Sequence, residues 1–369
     1  MKIIHCADLH LDSKLQTNLS REKAAERKAE LLETFLAMVD YAAENNVSAI
    51  LIAGDLFDTK RVLARTRNVV MEAILSNPGI NFYYLKGNHD TALFADEPDR
   101  LPQNLMLFGS EWISYCPEEG GECIVRITGV ELNAENHGKI YSSLVLDAGL
   151  VNIVMLHGQE TASHTDRTEC IDLRALRNKG IDYLALGHVH SYKKEKLDSR
   201  GVYCYPGCLE GRGFDECGEH GFVMLEIDEE KRTVSTSFVP MAFRRLYCFP
   251  VDISGCMTTP EIESRVRDTL AGEHYEETDL LKLVLKGAVD VECEKDLEYL
   301  EKRLEDICFF LKIEDMSEYK VDYASFVHDE SLKGEFVRTV LGDASLCEED
   351  KAIIVRYGIQ ALKGEVYAQ

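Results

Sequence analysis

Short, continuous apolar runs recur through the first 240 residues, and each stops at a small residue followed by Asp, Asn or His. Ile3 to Ala7 leads into Asp8-Leu9-His10, and Ala49-Ile50-Leu51-Ile52-Ala53 into Gly54-Asp55-Leu56-Phe57-Asp58. Phe82 to Leu85 precedes Gly87-Asn88-His89-Asp90, Ile153 to Leu156 precedes His157-Gly158, and Tyr183 to Leu186 precedes Gly187-His188-Val189-His190. Runs of this length predict buried strands, and a polar side chain where such a strand stops is held at the rim of a sheet. A glycine beside it lets another group approach the backbone closely.

Between the runs the period changes. Leu31, Leu32, Phe35, Met38, Val39 and Ala42 fall on one stripe and predict a helix over residues 21–46, with a second over 172–178. Residues 123–130, 151–156 and 181–186 read as strands, so the alternation predicts an α/β domain. From Tyr203 onward, strands over 221–228 and 233–240 are expected to pair antiparallel and complete a second sheet.

Past residue 240 the pattern restarts on a smaller scale. Leu246 to Ile253 predicts a strand, Thr259-Pro260 opens a helix, and Leu281, Leu283 and Leu285 alternate as a strand. Leu297, Leu300, Leu304, Ile307 and Leu311 repeat at helical spacing. The tail carries two helical patterns, one through Leu332, Phe336 and Val340, the other opened by a Ser345/Glu348 capping box with Ile354, Tyr357 and Ala361 inward. Segments 1–240, 241–325 and 326–369 follow, in keeping with a length of 369 residues, beyond the roughly 250–300 at which one core stops growing.

Composition narrows the function. Lys plus Arg number 41 against 65 Asp plus Glu, a net charge of -24, which repels polyanions in bulk. Any contact with phosphates must rest on metal ions or on local patches such as Lys60, Arg61, Arg65 and Arg67; the basic residues Lys193, Lys194, Lys196 and Arg200 come after the last histidine motif. The cysteines are scattered without a Cys-x-x-Cys pair, the start does not read as a signal peptide, and no apolar stretch approaches the roughly 18 residues of a membrane span. Free thiols in a reducing cytoplasm are expected. His5, inside a strand, is expected to be a hydrogen-bonded core histidine; Cys6 and Cys208 are expected to pack, and His137 and His164 to lie in loops outside the motifs.

Taken together, and in this order, Asp-x-His, Gly-Asp-x-x-Asp, Gly-Asn-His-Asp, His-Gly and Gly-His-x-His resemble the calcineurin-like metallophosphoesterase superfamily over about the first 240 residues. The resemblance implies a four-layer α/β/β/α sandwich, here with a small α+β capping domain and C-terminal helices. It also implies that Asp8, His10, Asp55 and His190 hold one metal and Asp55, Asn88, His157 and His188 a second, with Asp55 bridging. Two cations about 3.5–4 Å apart activate a water and neutralise both entering and leaving phosphate oxygens. His89 is left free to stabilise the transition state or protonate the leaving oxygen, with Asp58 orienting it. Donors limited to Asp, Asn and His favour Mn2+, iron and zinc being alternatives.

Within the superfamily the chain most resembles DNA repair exonucleases of the SbcD and YhaO type. The carriers are His5-Cys6-Ala7-Asp8-Leu9-His10-Leu11-Asp12, Gly54 to Asp58, Tyr205-Pro206-Gly207-Cys208-Leu209-Glu210 and Leu332-Lys333-Gly334-Glu335-Phe336. This implies a two-metal DNA exonuclease or endonuclease acting in DNA repair, with Lys60, Arg61 and Arg65 on the substrate and a SbcC-like coiled-coil ATPase docked on the C-terminal helices. A homodimer is compatible with it. Cys208 departs from the usual serine, and the net charge departs from that of a free DNA binder. A small-molecule phosphodiesterase or phosphatase with the same dimetal site is the alternative.

Overall fold

All five apolar runs that end in Asp, Asn or His become strands in a computed structural model of the chain, which describes residues 1–15, 19–58, 62–90, 101–117, 123–161, 169–321 and 323–363. The chain divides into two compact units, Met1–Arg245 and Leu246–Gln369.

The first unit begins β1 (Lys2–Cys6), α1 (Arg21–Glu44), β2 (Ala49–Ala53), α2 (Ala64–Leu75), β3 (Asn81–Leu85) and β4 (Leu105–Leu107). A hairpin of β5 (Ile113–Tyr115) and β6 (Val125–Gly129) follows, then α3 (Ile140–Ser143) and β7 (Val151–His157). Next come β8 (Gln159–Thr161), β9 (Cys170–Asp172), α4 (Leu173–Leu176), β10 (Tyr183–Gly187), β11 (Lys193–Lys196), β12 (Val202–Tyr205), β13 (Gly221–Asp228) and β14 (Thr233–Pro240).

Two six-stranded mixed sheets result, ordered β14-β13-β1-β2-β3-β4 and β11-β12-β10-β7-β6-β5. Alternate residues of the central strands feed separate cores. Ile4, Ile50 and Phe82 pack with Leu31, Phe35 and Met38 of α1 on the outer face of the first sheet. Ile3, Leu51 and Tyr83 face Ile127, Ile153 and Tyr183 between the sheets, and Val154 and Leu184 cover the outer face of the second with Ile140 and Leu176. The layering is α/β/β/α.

Strands after Tyr203 do not complete a second sheet of their own. β12 joins β10 in parallel, while β13 pairs antiparallel with β1 and carries β14, closing an edge of the first sheet that β1 would otherwise expose. The hairpin β5–β6 brings Cys116 and Cys123 together as a disulfide with Cα atoms 5.7 Å apart, so the expectation of free thiols fails at this pair. The other described cysteines are free.

The second unit holds β15 (Leu246–Asp252), α5 (Thr259–Leu270), β16 (Leu280–Lys286), β17 (Ala288–Asp290), α6 (Leu297–Leu304), β18 (Phe310–Asp315) and β19 (Glu318–Lys320). It ends with α7 (Tyr323–Phe326), α8 (Leu332–Gly342) and α9 (Glu348–Lys363). Leu311 does not extend the helix of Leu297 and Leu304: it lies in β18, which pairs in parallel with β16, so a tertiary partner overrides the helical spacing. In the tail, Val337, Val340, Val355 and Ile359 bury against Val291 and Phe326. The inward face of α9 is thus Val355 and Ile359, while Ile354, Tyr357 and Ala361 are exposed. Ser345 binds Asp343 instead of capping α9, and the Cys347 sulfur takes up the Asp350 N–H. No helix among the described residues is long and apolar enough to cross a membrane.

Candidate metal centre

The ends of β1, β2, β3, β7 and β10 converge, because the parallel strands deliver their C-terminal residues to one rim of the sandwich. Backbone hydrogen bonds weld the first two loops into a ladder: Asp8 N–H to Gly54 O, His10 N–H to Asp55 O, Leu11 N–H to Leu56 O and Asp58 N–H to Leu11 O. Asp8, His10, Asp55 and His188 adopt left-handed φ values of 53°, 46°, 51° and 105°. Such backbone is costly for residues with a Cβ and marks positions held in place by their surroundings.

Two carboxylates lie at the centre of the rim. Asp8 accepts the His188 N–H at 2.9 Å on each oxygen, and Asp55 Oδ1 accepts the His89 N–H at 2.8 Å. Asp55 Oδ2 lies 3.3 Å from His157 Nε2 and 3.9 Å from His10 Nε2, between the two histidine groups. On one side His10 Nε2 and His190 Nε2 approach to 3.2 Å. On the other, Asn88 Oδ1 sits 2.9 Å from His157 Nε2 and 3.3 Å from His188 Nδ1.

Outer partners fix the ring orientations. His157 Nδ1 donates to Ala53 O, His10 Nδ1 meets Asp58 Oδ1 at 3.1 Å, and His190 Nδ1 meets Glu216 Oε1 at 2.7 Å. Each leaves the opposite nitrogen, Nε2, aimed at the rim, the arrangement in which an imidazole donates its lone pair to a cation. Glycine makes this closeness attainable. A Cβ on Gly54 would lie 2.1 Å from His157 Nδ1, and one on Gly87 2.2 Å from Asp55 Oδ1.

The electrostatics follow from burial and pairing. Burial raises Asp8 to about 6. Burial opposes charge on both members of the Asp55–His157 pair, but their mutual attraction wins, lowering Asp55 to about 2 and raising His157 to about 9. Burial lowers His10 and His188, whereas on His190 it is outweighed by Glu216 and the imidazole is raised. Asp8, His10 and His190, and separately Asp8, Asp55 and His157, offer donor atoms close enough to share an ion. Hard oxygen and imidazole donors with Nε2 atoms already convergent fit divalent cations.

His89 adjoins this set: its ring lies edge-on to that of His10 with centroids 5.2 Å apart, and His10, Asp58 and His89 also offer donor atoms close enough to share an ion. The His89 ring is half-exposed, with Nδ1 3.5 Å from Asp58 Oδ1, on a cavity of about 210 Å³ that His10, Ser13, Asp58 and Arg212 also line. Asp58 therefore faces two histidines, and His10 is the nearer one.

Lys60 and Arg61 lie outside the described residues. Arg65 sits exposed at the start of α2 and takes no part in the hydrogen-bonded network among the described residues. Asp12 ties that helix to the His10 loop by accepting the Leu63 N–H and the Thr66 hydroxyl. His5 is buried with Nδ1 on the Tyr183 hydroxyl at 2.8 Å, as a core histidine should be, and Cys6 and Cys208 are buried too.

Three functional neighbours escaped the sequence pattern. Asp90 accepts the N–H groups of Leu56, Phe57 and Gly87, stitching the Asp55 loop to the Asn88 loop. Glu216 grips His190, and Arg212 reaches Glu216 at 2.8 Å and His190 Nδ1 at 3.1 Å, with Asp58 3.7 Å away. The loop that carries them is anchored by the buried Arg27, which donates to Glu210 and to Gly211 O, and by Arg244 N–H on Glu210. Asp90 could have been found, since it closes the Gly87-Asn88-His89-Asp90 motif; Arg212 and Glu216 have no local signature.

Residues 1–192 match the calcineurin-like phosphoesterase family. The chain is 31% identical over 239 residues to an uncharacterized metallophosphoesterase, YhaO, of Bacillus subtilis, covering 62% of this chain and 57% of that protein. It is 28% identical to the DNA double-strand break repair protein Mre11 of Methanopyrus kandleri, over 72% of this chain and 62% of the relative. A protein of the same name from Saccharolobus solfataricus is 25% identical over 88% of this chain and 85% of its own length. The chain thus spans about three fifths of the first two relatives.

Proposed function

This chain belongs to the calcineurin-like phosphoesterase family, and from that premise we propose that it is a two-metal DNA nuclease that hydrolyses phosphodiester bonds in DNA repair. The observation that carries the reading is the convergence of Asp8, His10, Asp55, Asn88, His157, His188 and His190 on one rim, with Asp55 between the two histidine groups. Relatives named for DNA double-strand break repair, one aligned over 88% of the chain, support DNA as the substrate.

In this reading Asp8, His10, Asp55 and His190 hold one divalent ion and Asp55, Asn88, His157 and His188 the other, manganese being the first candidate. Bound ions supply an activated water and charge neutralisation at the phosphate. The chain's own residues do the rest. Glu216, Asp58 and Ala53 O fix the Nδ1 protons of His190, His10 and His157, so that their Nε2 lone pairs face the rim. His89, free of the donor set and open to the cavity, places a proton near the leaving oxygen, and Asp58 holds its ring. The reading includes a cytoplasmic location. It also includes a SbcC-like ATPase partner on α9, supported by the exposed Ile353, Ile354, Tyr357 and Leu362.

The test is manganese-dependent degradation of end-labelled linear duplex DNA, alongside a small chromogenic phosphodiester, with Asp55→Ala and His89→Ala as controls. Label lost only with the wild type supports the nuclease. Turnover of the small ester with DNA left intact, both alone and with a SbcC-like ATPase added, favours a small-molecule phosphodiesterase instead.

A further inference from the structure

β11 leaves the metal centre directly. It starts three residues after His190 and is the outer strand of the second sheet, antiparallel to β12. Its first residue, Lys193, lies opposite Tyr205 and its last, Lys196, opposite Val202, so the strand runs away from the rim that carries the donors. β14, the outer strand of the first sheet, flanks it: the Tyr192 ring lies 4.9 Å from that of Phe238, and Lys194 Nζ donates to Thr236 Oγ1 at 2.6 Å.

These partners, two residues apart on both strands, put Tyr192 and Lys194 on one face, and strand alternation adds Lys196. Lys193 and Glu195 take the other face, where Lys193 pairs with Glu160 and Glu195 accepts from the Tyr203 hydroxyl. The first face carries no carboxylate of β11, and β14 opposite it, Thr-Val-Ser-Thr-Ser-Phe-Val-Pro, has none. Tyr192 is 43% exposed, Lys194 and Lys196 are exposed, and Lys196 has no ion-pair partner among the described residues.

In a chain of net charge -24, a face with two lysines to which neither β11 nor β14 adds an acid, leading out of a phosphoesterase centre, is the local exception contact with a polyanion requires. An aromatic ring steadied by a second ring, followed at steps of about 7 Å by two cations, combines the two features with which proteins hold single-stranded nucleic acid. Bases stack on the ring and phosphates pass over the cations. We propose that the Tyr192, Lys194 and Lys196 face of β11 holds a single strand of DNA at the mouth of the metal centre. The proposal rests on the DNA reading above and adds to it where the strand runs.

The test is fluorescence anisotropy of a labelled oligothymidylate with the full chain, in chelator so that no strand is cut, over a series of salt concentrations. Lys194→Glu/Lys196→Glu is expected to weaken binding at least tenfold and to flatten the plot of log affinity against log salt by about 1.4, two contacts at roughly 0.7 each. Tyr192→Ala is expected to weaken it about fivefold or more with the slope kept. A Lys302→Glu/Lys320→Glu variant, with the same charge change in the second unit, is expected to bind like the wild type, and melting temperatures report that all variants fold. Wild-type affinity in both β11 variants, with the wild type binding DNA, overturns the track and leaves the nuclease reading standing. Equal losses in the β11 and second-unit variants also overturn it, as a net-charge effect. A wild type that binds neither single strand nor duplex, both alone and with a SbcC-like ATPase added, yet turns over a small phosphodiester with manganese, overturns the DNA reading itself.

Discussion

His10 Nε2 and His190 Nε2 lie 3.2 Å apart, and each ring is anchored at its far nitrogen by a different carboxylate, Asp58 at 3.1 Å and Glu216 at 2.7 Å. Two lone pairs so close would repel unless a proton or a cation lies between them. The carboxylates therefore hold the rings in an orientation that only a shared cation or proton satisfies. Arg212 adds to this by bonding Glu216 while standing beside Asp58, so that one guanidinium steadies both anchors.

Glu216→Ala is expected to lower apparent manganese affinity by roughly 10- to 100-fold, the usual range for losing the outer partner of a ligating histidine. Glu216→Gln, which keeps an acceptor, should lose less. Isothermal titration with Mn2+ checks this without any substrate, and equal affinities in all three proteins would remove Glu216 from the site.

His89 and Asp58 should separate by what they touch. His89→Ala is expected to cost about 10²- to 10⁴-fold in kcat, the range for a positioned acid or base, with manganese binding kept. Asp58→Asn faces both His89 and His10, so turnover and metal affinity should fall together and the pH profile of kcat should change shape. Kinetics of a small phosphodiester across pH, paired with metal titration, distinguish the two. An Asp58→Asn protein with unchanged turnover at every pH would exclude the carboxylate from the reaction.

Gly87 has no room for a side chain. A Cβ there would meet Asp55 Oδ1 at 2.2 Å and the Asp55 backbone nitrogen at 2.5 Å, whereas one on Gly79 meets nothing within 4 Å. Gly87→Ala should displace the central carboxylate and abolish the rise in melting temperature on adding Mn2+, while Gly79→Ala retains it. Thermal shift with and without the metal reads the difference.

What could be read from the sequence was whatever is local. A strand that ends in Gly-Asp or Gly-His carries its functional residue with it, so the five donor segments and an α/β domain were visible as patterns, while the four-layer sandwich came only through the family resemblance those segments carry. Asp58 was legible through its spacing from Asp55, but its closer approach to His10 depends on the ladder between the two loops. Arg212 and Glu216 reach His190 only because a buried cluster of Arg27 and Glu210 fixes a loop far from it in sequence. Pairing partners were equally hidden: β13 pairs antiparallel with β1 and so joins the first sheet, a partner far from it in sequence that no local pattern names. The Leu297 to Leu311 periodicity failed because β18 pairs with β16, and a tertiary partner overrides local propensity.

His5 gives the fold a dependence on pH. It is buried, its Nδ1 on the Tyr183 hydroxyl, and burial lowers its imidazole from 6.5 to about 3. Between these values the unfolded chain binds a proton that the folded chain refuses, so stability is fully present above about pH 6.5 and declines as pH falls toward 3. The decline from this one group is on the order of 1 kcal/mol per pH unit. His5→Phe keeps the ring volume but cannot titrate. The variant should be less stable at pH 7, because the Tyr183 hydroxyl loses a partner at a cost of about 1–3 kcal/mol, yet its urea midpoint should fall less steeply between pH 6 and pH 4. Parallel stability curves for the two proteins across that window would show that the folded chain accepts a proton at His5 as readily as the unfolded one.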